Sequence, residues 1–266
     1  MIDQKLLIAL CLFILALVLP ADWHVRGTLC VPGGYRYGHN VPDTEIAYEW
    51  WFGEKRMSFT SMGWRFDFGG YMDARFVVDM EKQRLLALNL SNRTFVEIPL
   101  PMQLSVHIDS PTASWLDQFA IDGQVVKTGK TAAVLGRKCE EYDVREWMVR
   151  KDDRFFDRRR VVLASPDVPF DWRLAEYLYL WFASFIHTQP PYIPEMKKIT
   201  GFILSSRESV FEGGSEVKFS SAVTEIARES APAEAYQAPP HYTRREKLSI
   251  DDLFNMRAIA YLYSLY

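Results

Sequence analysis

From Thr44 to Pro101 polar and apolar residues alternate in short runs separated by turn signals. That period constrains the stretch to half-buried antiparallel strands. Ile46 to Phe52, Arg56 to Thr60 and Trp64 to Phe68 each carry bulky apolar side chains at every second position, with Gly53-Glu54-Lys55 turning between the first two. Arg75 to Asp79, Arg84 to Leu90 and Thr94 to Ile98 continue the pattern as a meander, turning at Met80 to Gln83 and at Ser91-Asn92-Arg93. Trp23 to Leu29 reads as an earlier strand, joined to Ile46 by a loop rich in Gly and Pro.

Beyond Pro101 the strand pattern lapses around a short helix expected at Ser114 to Phe119, then resumes through Thr128 to Val134, Lys138 to Val149 and Arg158 to Ala164. Asp171 to Thr188 changes period. Leu174, Leu178, Trp181 and Phe185 recur at helical spacing, Tyr177 and Phe182 widen the stripe, and Pro190-Pro191 ends it. Ile199 to Phe211 and Glu216 to Ala227 form a last long hairpin. An extended tail, Pro232 to Tyr242, then leads to a C-terminal helix near Ile250, with Ser249 placed to cap it.

Lys5 precedes an apolar run from Leu6 to Leu19 that closes at Pro20-Ala21, the layout of a secretory signal peptide. The run is shorter than the roughly 20 residues a spanning helix needs. Cleavage after Ala21 is expected, with an uncleaved membrane anchor as the alternative. Cys11 lies inside the run behind Leu10 and lacks a lipobox context. The division expected is therefore a signal peptide at 1–21, one domain at 22–248 and a C-terminal helix at 249–266. The formal charge of −3 gives no broad positive field, so nucleic acid is not an expected partner. In an oxidising compartment Cys30 and Cys139 can form a disulfide, which would contribute about 4 kcal/mol in the chain-entropy model. Equally, they can be two buried thiols that pack as small hydrophobes.

Several short patterns, in order, resemble a bacterial family of exported proteins of unknown function whose fold is related to the lipoprotein carriers LolA and LolB. They are Phe76-Val77-Val78-Asp79 through Leu86 to Phe95-Val96-Glu97-Ile98, then Val134-Leu135-Gly136-Arg137-Lys138-Cys139-Glu140-Glu141-Tyr142, and Ala238-Pro239-Pro240-His241-Tyr242. The resemblance implies a mainly β fold: a strongly curved antiparallel sheet, a half-open barrel, with an apolar concave side covered by one or two helices. Asp171 to Thr188 sits in an insertion and the C-terminal helix extends past the usual end, so the fold carries over and the lipoprotein-handling role does not.

No catalytic constellation stands out. The histidines His24, His39, His107, His187 and His241 have no paired metal-ligand spacing, and Asp152-Asp153 sits among arginines without a calcium-loop pattern. Ser61, Ser114 and Ser184 lack a nucleophile elbow. No metal and no cofactor is expected. Trp50, Phe52, Phe59, Trp64 and Phe66 would share the concave face, where they form core or line a cavity for an apolar molecule. Tyr177, Trp181 and Phe185 on the helix would complete that lining as a lid, or plug the groove permanently. The expected function is non-enzymatic binding of a hydrophobic ligand, a lipid or acyl chain, in the periplasm or outside the cell. The alternatives are an envelope protein-interaction or sensor module with a filled barrel, and an enzyme built on the same fold.

Overall fold

A computed structural model of the chain describes residues 21–31, 33–36, 39–41, 43–65, 71–100, 109, 120–150, 153–178, 192–212, 215–247 and 249. The expected signal segment, the short helix at Ser114 to Phe119 and the C-terminal helix lie outside these residues. The strands are β1 (Asp22–Val31), β2 (Gly34–Arg36), β3 (His39–Val41), β4 (Thr44–Phe52), β5 (Arg56–Arg65), β6 (Tyr71–Asp79), β7 (Arg84–Asn89), β8 (Thr94–Pro99), β9 (Ala120–Val134), β10 (Arg137–Arg150), β11 (Asp153–Ser165), β12 (Phe202–Glu212), β13 (Ser215–Glu229) and β14 (Thr243–Arg245). Residues 174–178 are helical (α1), and a second helix, α2, covers Tyr192–Met196.

Twelve strands form one open sheet in the order β14-β8-β7-β6-β5-β4-β1-β13-β12-β11-β10-β9. The order resolves into two meanders, β4 to β8 and β9 to β13, stitched together by β1. That strand pairs antiparallel with β13 on one side, from Asp22 opposite Glu229 to Cys30 opposite Ser220, and with β4 on the other. All neighbours are antiparallel except β14, which adds to β8 in parallel. Tight turns set the meander register. Asp79 and Asn89 each accept a backbone N–H three residues on, from Lys82 at 3.1 Å and Asn92 at 2.8 Å, and each turn closes on a left-handed residue, Gln83 (φ 48°) or Arg93 (φ 54°). The β9–β10 hairpin turns through Leu135 and Gly136, both with positive φ, the hand that matches strand twist.

The sheet is strongly bent. Phe52 on β4 and Phe202 on β12 are three strands apart, which is about 14 Å across a flat sheet, yet their ring centroids are 5.5 Å apart. Bending shortens that chord on the concave side, where the largest core cluster sits: Val25, Trp50, Phe52, Met57, Phe76, Val78, Leu85, Ile98, Phe202 and Leu204, joined by Leu174 and Leu178 of α1. Two smaller clusters lie on the convex face. Trp51, Val77, Leu86 and Leu88 are covered by Ala235 and Tyr236 of the C-terminal tail, and Tyr142, Val144, Val162 and Ala164 by Ile199 and Met196.

The edges are protected in different ways. On β9 a bulge opposite Glu141 carries Gly129 at φ 80°, and the Glu195 carboxylate of α2 accepts the N–H of Val125 at 2.8 Å. At the other edge β14 covers β8. The structure also corrects details of the sequence reading. Arg56 to Thr60 and Trp64 are parts of one strand, β5, whose register shift between Ser61 and Trp64 absorbs Met62 and Gly63. The loop before β4 contains the β2–β3 hairpin, and the tail contains a 3-10 turn at Ala233–Tyr236 as well as β14.

Gly27 lies directly opposite Tyr48 on β4, and on its other side the β13 register slips by one residue at Thr224, between the partners of Arg26 and Gly27. A Cβ there would stand 2.3 Å from the Tyr48 ring, so the missing side chain is what lets the ring lie across β1. Gly27→Ala is expected to cost about 1–3 kcal/mol of stability by forcing that ring aside. Urea denaturation checks it: the loss should shrink in Gly27→Ala combined with Tyr48→Ala, relative to the sum of the single changes.

Candidate functional site: the concave aromatic face

Alternation along β4 turns Tyr48, Trp50 and Phe52 to the concave side and Trp51 to the other. Registered pairing extends these positions into rows. Phe76, Phe59, Trp50, Val25 and Ile226 stand opposite one another across five adjacent strands, and Ile98, Leu85, Val78, Met57, Phe52 and Trp23 form the next row. The rings touch. Trp50 is 4.4 Å from Phe59 and 5.5 Å from Phe202, centroid to centroid, and Phe52 stacks on Phe170 at 4.1 Å. Phe170 and Phe202 meet edge to face at 5.2 Å, the arrangement favoured by ring quadrupoles.

Of the expected lining residues, Trp50, Phe52, Phe59 and Tyr177 converge on this cluster. Trp64 is placed by its backbone opposite Met72 on β6, while Phe66, Trp181 and Phe185 lie outside the described residues. The contacts make this part of the face core: Phe52 is 1% exposed, Phe202 3%, Trp50 7% and Phe170 9%. Phe59 and Tyr177 are half-buried at its margin. α1 lies against it through Leu174, Ala175 and Leu178, all buried, and covers this end of the groove.

Phe170 and Phe202 were not among the expected lining residues: Phe170 belongs to no alternating run, and Phe202, inside the expected strand Ile199 to Phe211, meets Trp50 and Phe52 only through the sheet order. Phe170 stands in the loop after β11. Phe202 opens β12 behind Gly201, whose φ of 116° and approach to the Ser165 backbone exclude any side chain there. That Gly201 strand entry, just past α2, was the available signal.

The cluster is apolar and is held by burial and not by charge. Its thiol, Cys139, is fully buried, and burial pushes its pKa up, away from the nucleophilic thiolate. Cys30 and Cys139 are both free, so the disulfide alternative is overturned: β13, β12 and β11 lie between their strands. The Gly136-x-x-Cys139-x-x-Tyr142 string has a structural account. Gly136 makes the turn, Cys139 fills the concave core, and Tyr142 fills the convex one, where its hydroxyl lies 3.0 Å from Glu140 and 2.8 Å from Thr200. Among the described residues no group of His, Cys, Asp or Glu is arranged to hold a metal ion, and no helix is long and apolar enough to cross a membrane.

Fold and site together define an open, bent, mostly antiparallel sheet with a helix packed on its concave side. No family model matches the chain, and no curated protein does. Among solved structures it is similar to PNGF-II in its P21 form, with TM-score 0.41 and 8% identity over 86% of this chain and 32% of that one. The C2 form of PNGF-II gives TM-score 0.39 and 7% identity over 85% and 31%. The chain thus spans about a third of the length of PNGF-II. A DUF1329 family protein from Desulfovibrio piger ATCC 29098 aligns with TM-score 0.21 and 9% identity over 86% of this chain and 94% of that one.

Phe52→Ala is expected to destabilise the fold by about 3–5 kcal/mol, since it removes a fully buried ring that two other rings enclose. The shift of the urea midpoint reads it. Cys139 should remain unlabelled by maleimide in the native protein and react once the chain is unfolded; mass spectrometry of tryptic peptides distinguishes its thiol from that of Cys30.

Proposed function

We propose that this chain is a non-enzymatic exported protein of the LolA-like kind that binds a hydrophobic ligand, a lipid or acyl chain, in its half-barrel. The supporting observation is the concave apolar face drawn from both meanders and covered by α1, which the sheet itself leaves unclosed. An acyl chain entering there gains about 25 cal/mol for each Å² of apolar surface buried. Entry requires α1 to give way, so the helix is the lid, and access is set by how easily Leu174 and Leu178 leave the cluster. The signal segment is read as removed on export, or retained as the chain's contact with the membrane.

A specific observation favours a second reading. Phe52, Phe170 and Phe202 fill the groove beneath α1 with the protein's own rings. A barrel filled in this way suits an envelope interaction or sensor module.

Native mass spectrometry of the chain purified from its own envelope fraction, followed by organic extraction, separates the two. A stoichiometric apolar molecule released on denaturation is the expected result. A clean apo mass from the envelope-derived protein overturns ligand binding and leaves the filled-barrel reading.

A further inference from the structure

His24 lies on the convex face of β1, 4% exposed, its ring flat against Trp51 with centroids 3.8 Å apart. Each ring nitrogen meets a carboxylate from a different strand. Nε2 is 3.0 Å from Glu49 of β4, and Nδ1 is 3.1 Å from Glu229 of β13. An ionised carboxylate only accepts, so this arrangement calls for both nitrogens to donate, and the ring it suits is the imidazolium. The other charges around His24 come from its neighbours on β1 and β13 and from Arg56 of β5. Arg26 donates to Glu229 at 3.0 Å and pairs with Glu225, while Asp22 faces Arg56 at 3.9 Å. The hydrogen bond from His24, with that from Arg26, outweighs desolvation and holds the Glu229 carboxyl below its ordinary range, so it stays ionised wherever an imidazole titrates.

Glu229 is the last residue of β13 and the root of the C-terminal tail. From there the chain crosses the convex face as a strap. Ala235 and Tyr236 are buried on the strip formed by Trp51, Val77, Leu86 and Leu88. The Arg56 guanidinium lies 4.2 Å from the centre of the Tyr236 ring, Arg75 donates to the Glu234 carbonyl at 2.8 Å, and Thr243 donates to the Arg93 carbonyl at 2.9 Å where β14 begins. Burial, and the Asp22 carboxylate after it, keep the Tyr236 phenol protonated. Trp51 is shared: it stacks on His24 and belongs to the strip beneath the strap.

We propose that His24 is a proton-operated latch for this C-terminal strap. As the imidazolium it ties Glu49 to Glu229 at the strap's root and holds Trp51 in place beneath Tyr236. Loss of one proton turns a nitrogen lone pair toward a carboxylate oxygen, and one of the two ties becomes a repulsion. The strap is therefore held on the acid side and loosens as pH rises through the imidazole titration. Loosening uncovers the apolar strip of Trp51, Val77, Leu86 and Leu88 and opens the β8 edge that β14 covers. The latch is independent of any ligand in the concave groove.

The test follows the full chain from pH 5 to pH 8.5 by hydrogen exchange, corrected for the intrinsic rate, with nitrogen-15 NMR reading the His24 ring in parallel. Protection of the 230–245 segment is expected to fall by roughly tenfold or more, the scale of one lost charge-assisted hydrogen bond, as His24 loses its proton, while β6 and β7 hold theirs. His24→Phe keeps the stacking and should abolish the pH response. Glu49→Gln removes one of the two anions, and should move the midpoint to lower pH even if His24→Phe does not fold. Strap protection that ignores pH while His24 titrates overturns the latch, as does a ring neutral throughout the range, a response retained in His24→Phe, or a midpoint unmoved in Glu49→Gln.

Discussion

Everything in this fold hangs on the pairing of β1 with a strand on either side. Without it the chain is two meanders, each ending in a bare edge. With it the two become a single sheet whose midline carries the features that let it bend. One is the bulge at Thr224 of β13, beside Arg26 and Gly27; another is the absence of a side chain at Gly27, which admits Tyr48; a third is Val25, wholly buried between Trp50 and Ile226. The polar side chains Arg26 and His24 of β1 lie on the opposite face, where they contact Glu225, Glu229 and Glu49 and draw the two meanders together from outside.

An antiparallel sheet usually leaves one face to water, but here much of both faces is covered. The concave side takes α1 and the Phe170 loop. The convex side takes the strap over one meander, and α2 with the chain after it over the other. This double cover explains why Phe76-Val77-Val78 and Leu85-Leu86-Ala87-Leu88 are apolar at consecutive positions and buried at every one. It also frames the functional question. The rings that the proposed ligand would meet are the rings that hold the half-barrel together, so binding of the proposed kind requires a cover to be displaced.

The legible part of the fold was the part written in local period. Alternation in β4 separated Trp50 and Phe52 from Trp51, and the turn residues at Met80 to Gln83 and Ser91 to Arg93 placed two hairpins correctly. Of the helix expected over Asp171 to Thr188, residues 174–178 are helical and 179–188 lie outside the described residues. What stayed hidden depends on residues distant in the chain. Nothing near His24 announces Glu49, 25 positions on, or Glu229, 205 positions on, because a histidine in a strand meets partners through register and not through spacing. Phe170 was hidden because it sits outside a run, and Phe202, although inside the expected strand Ile199 to Phe211, because its partners Trp50 and Phe52 come from distant β4. β14 is three exposed polar residues, with no pattern to read. The free state of Cys30 and Cys139 follows from strand order, which spacing along the chain does not carry. The apolar doublets of β6 and β7 were the one readable sign that the convex face would be covered.

The position of β1 has a consequence for how the molecule comes into being. Its partner β4 follows closely in sequence, but its partner β13 lies some two hundred residues further on, as the His24 to Glu229 separation of 205 measures. Both meanders can assemble from neighbouring hairpins while the chain is still emerging, whereas the seam between them is a contact of high sequence separation and forms slowly. Until β13 arrives, the far edge of β1 is an open, partly apolar template for strands of other molecules. The same strand that unites the finished sheet is, during assembly, its most exposed liability, and the interval before the seam closes is when the chain most needs an escort.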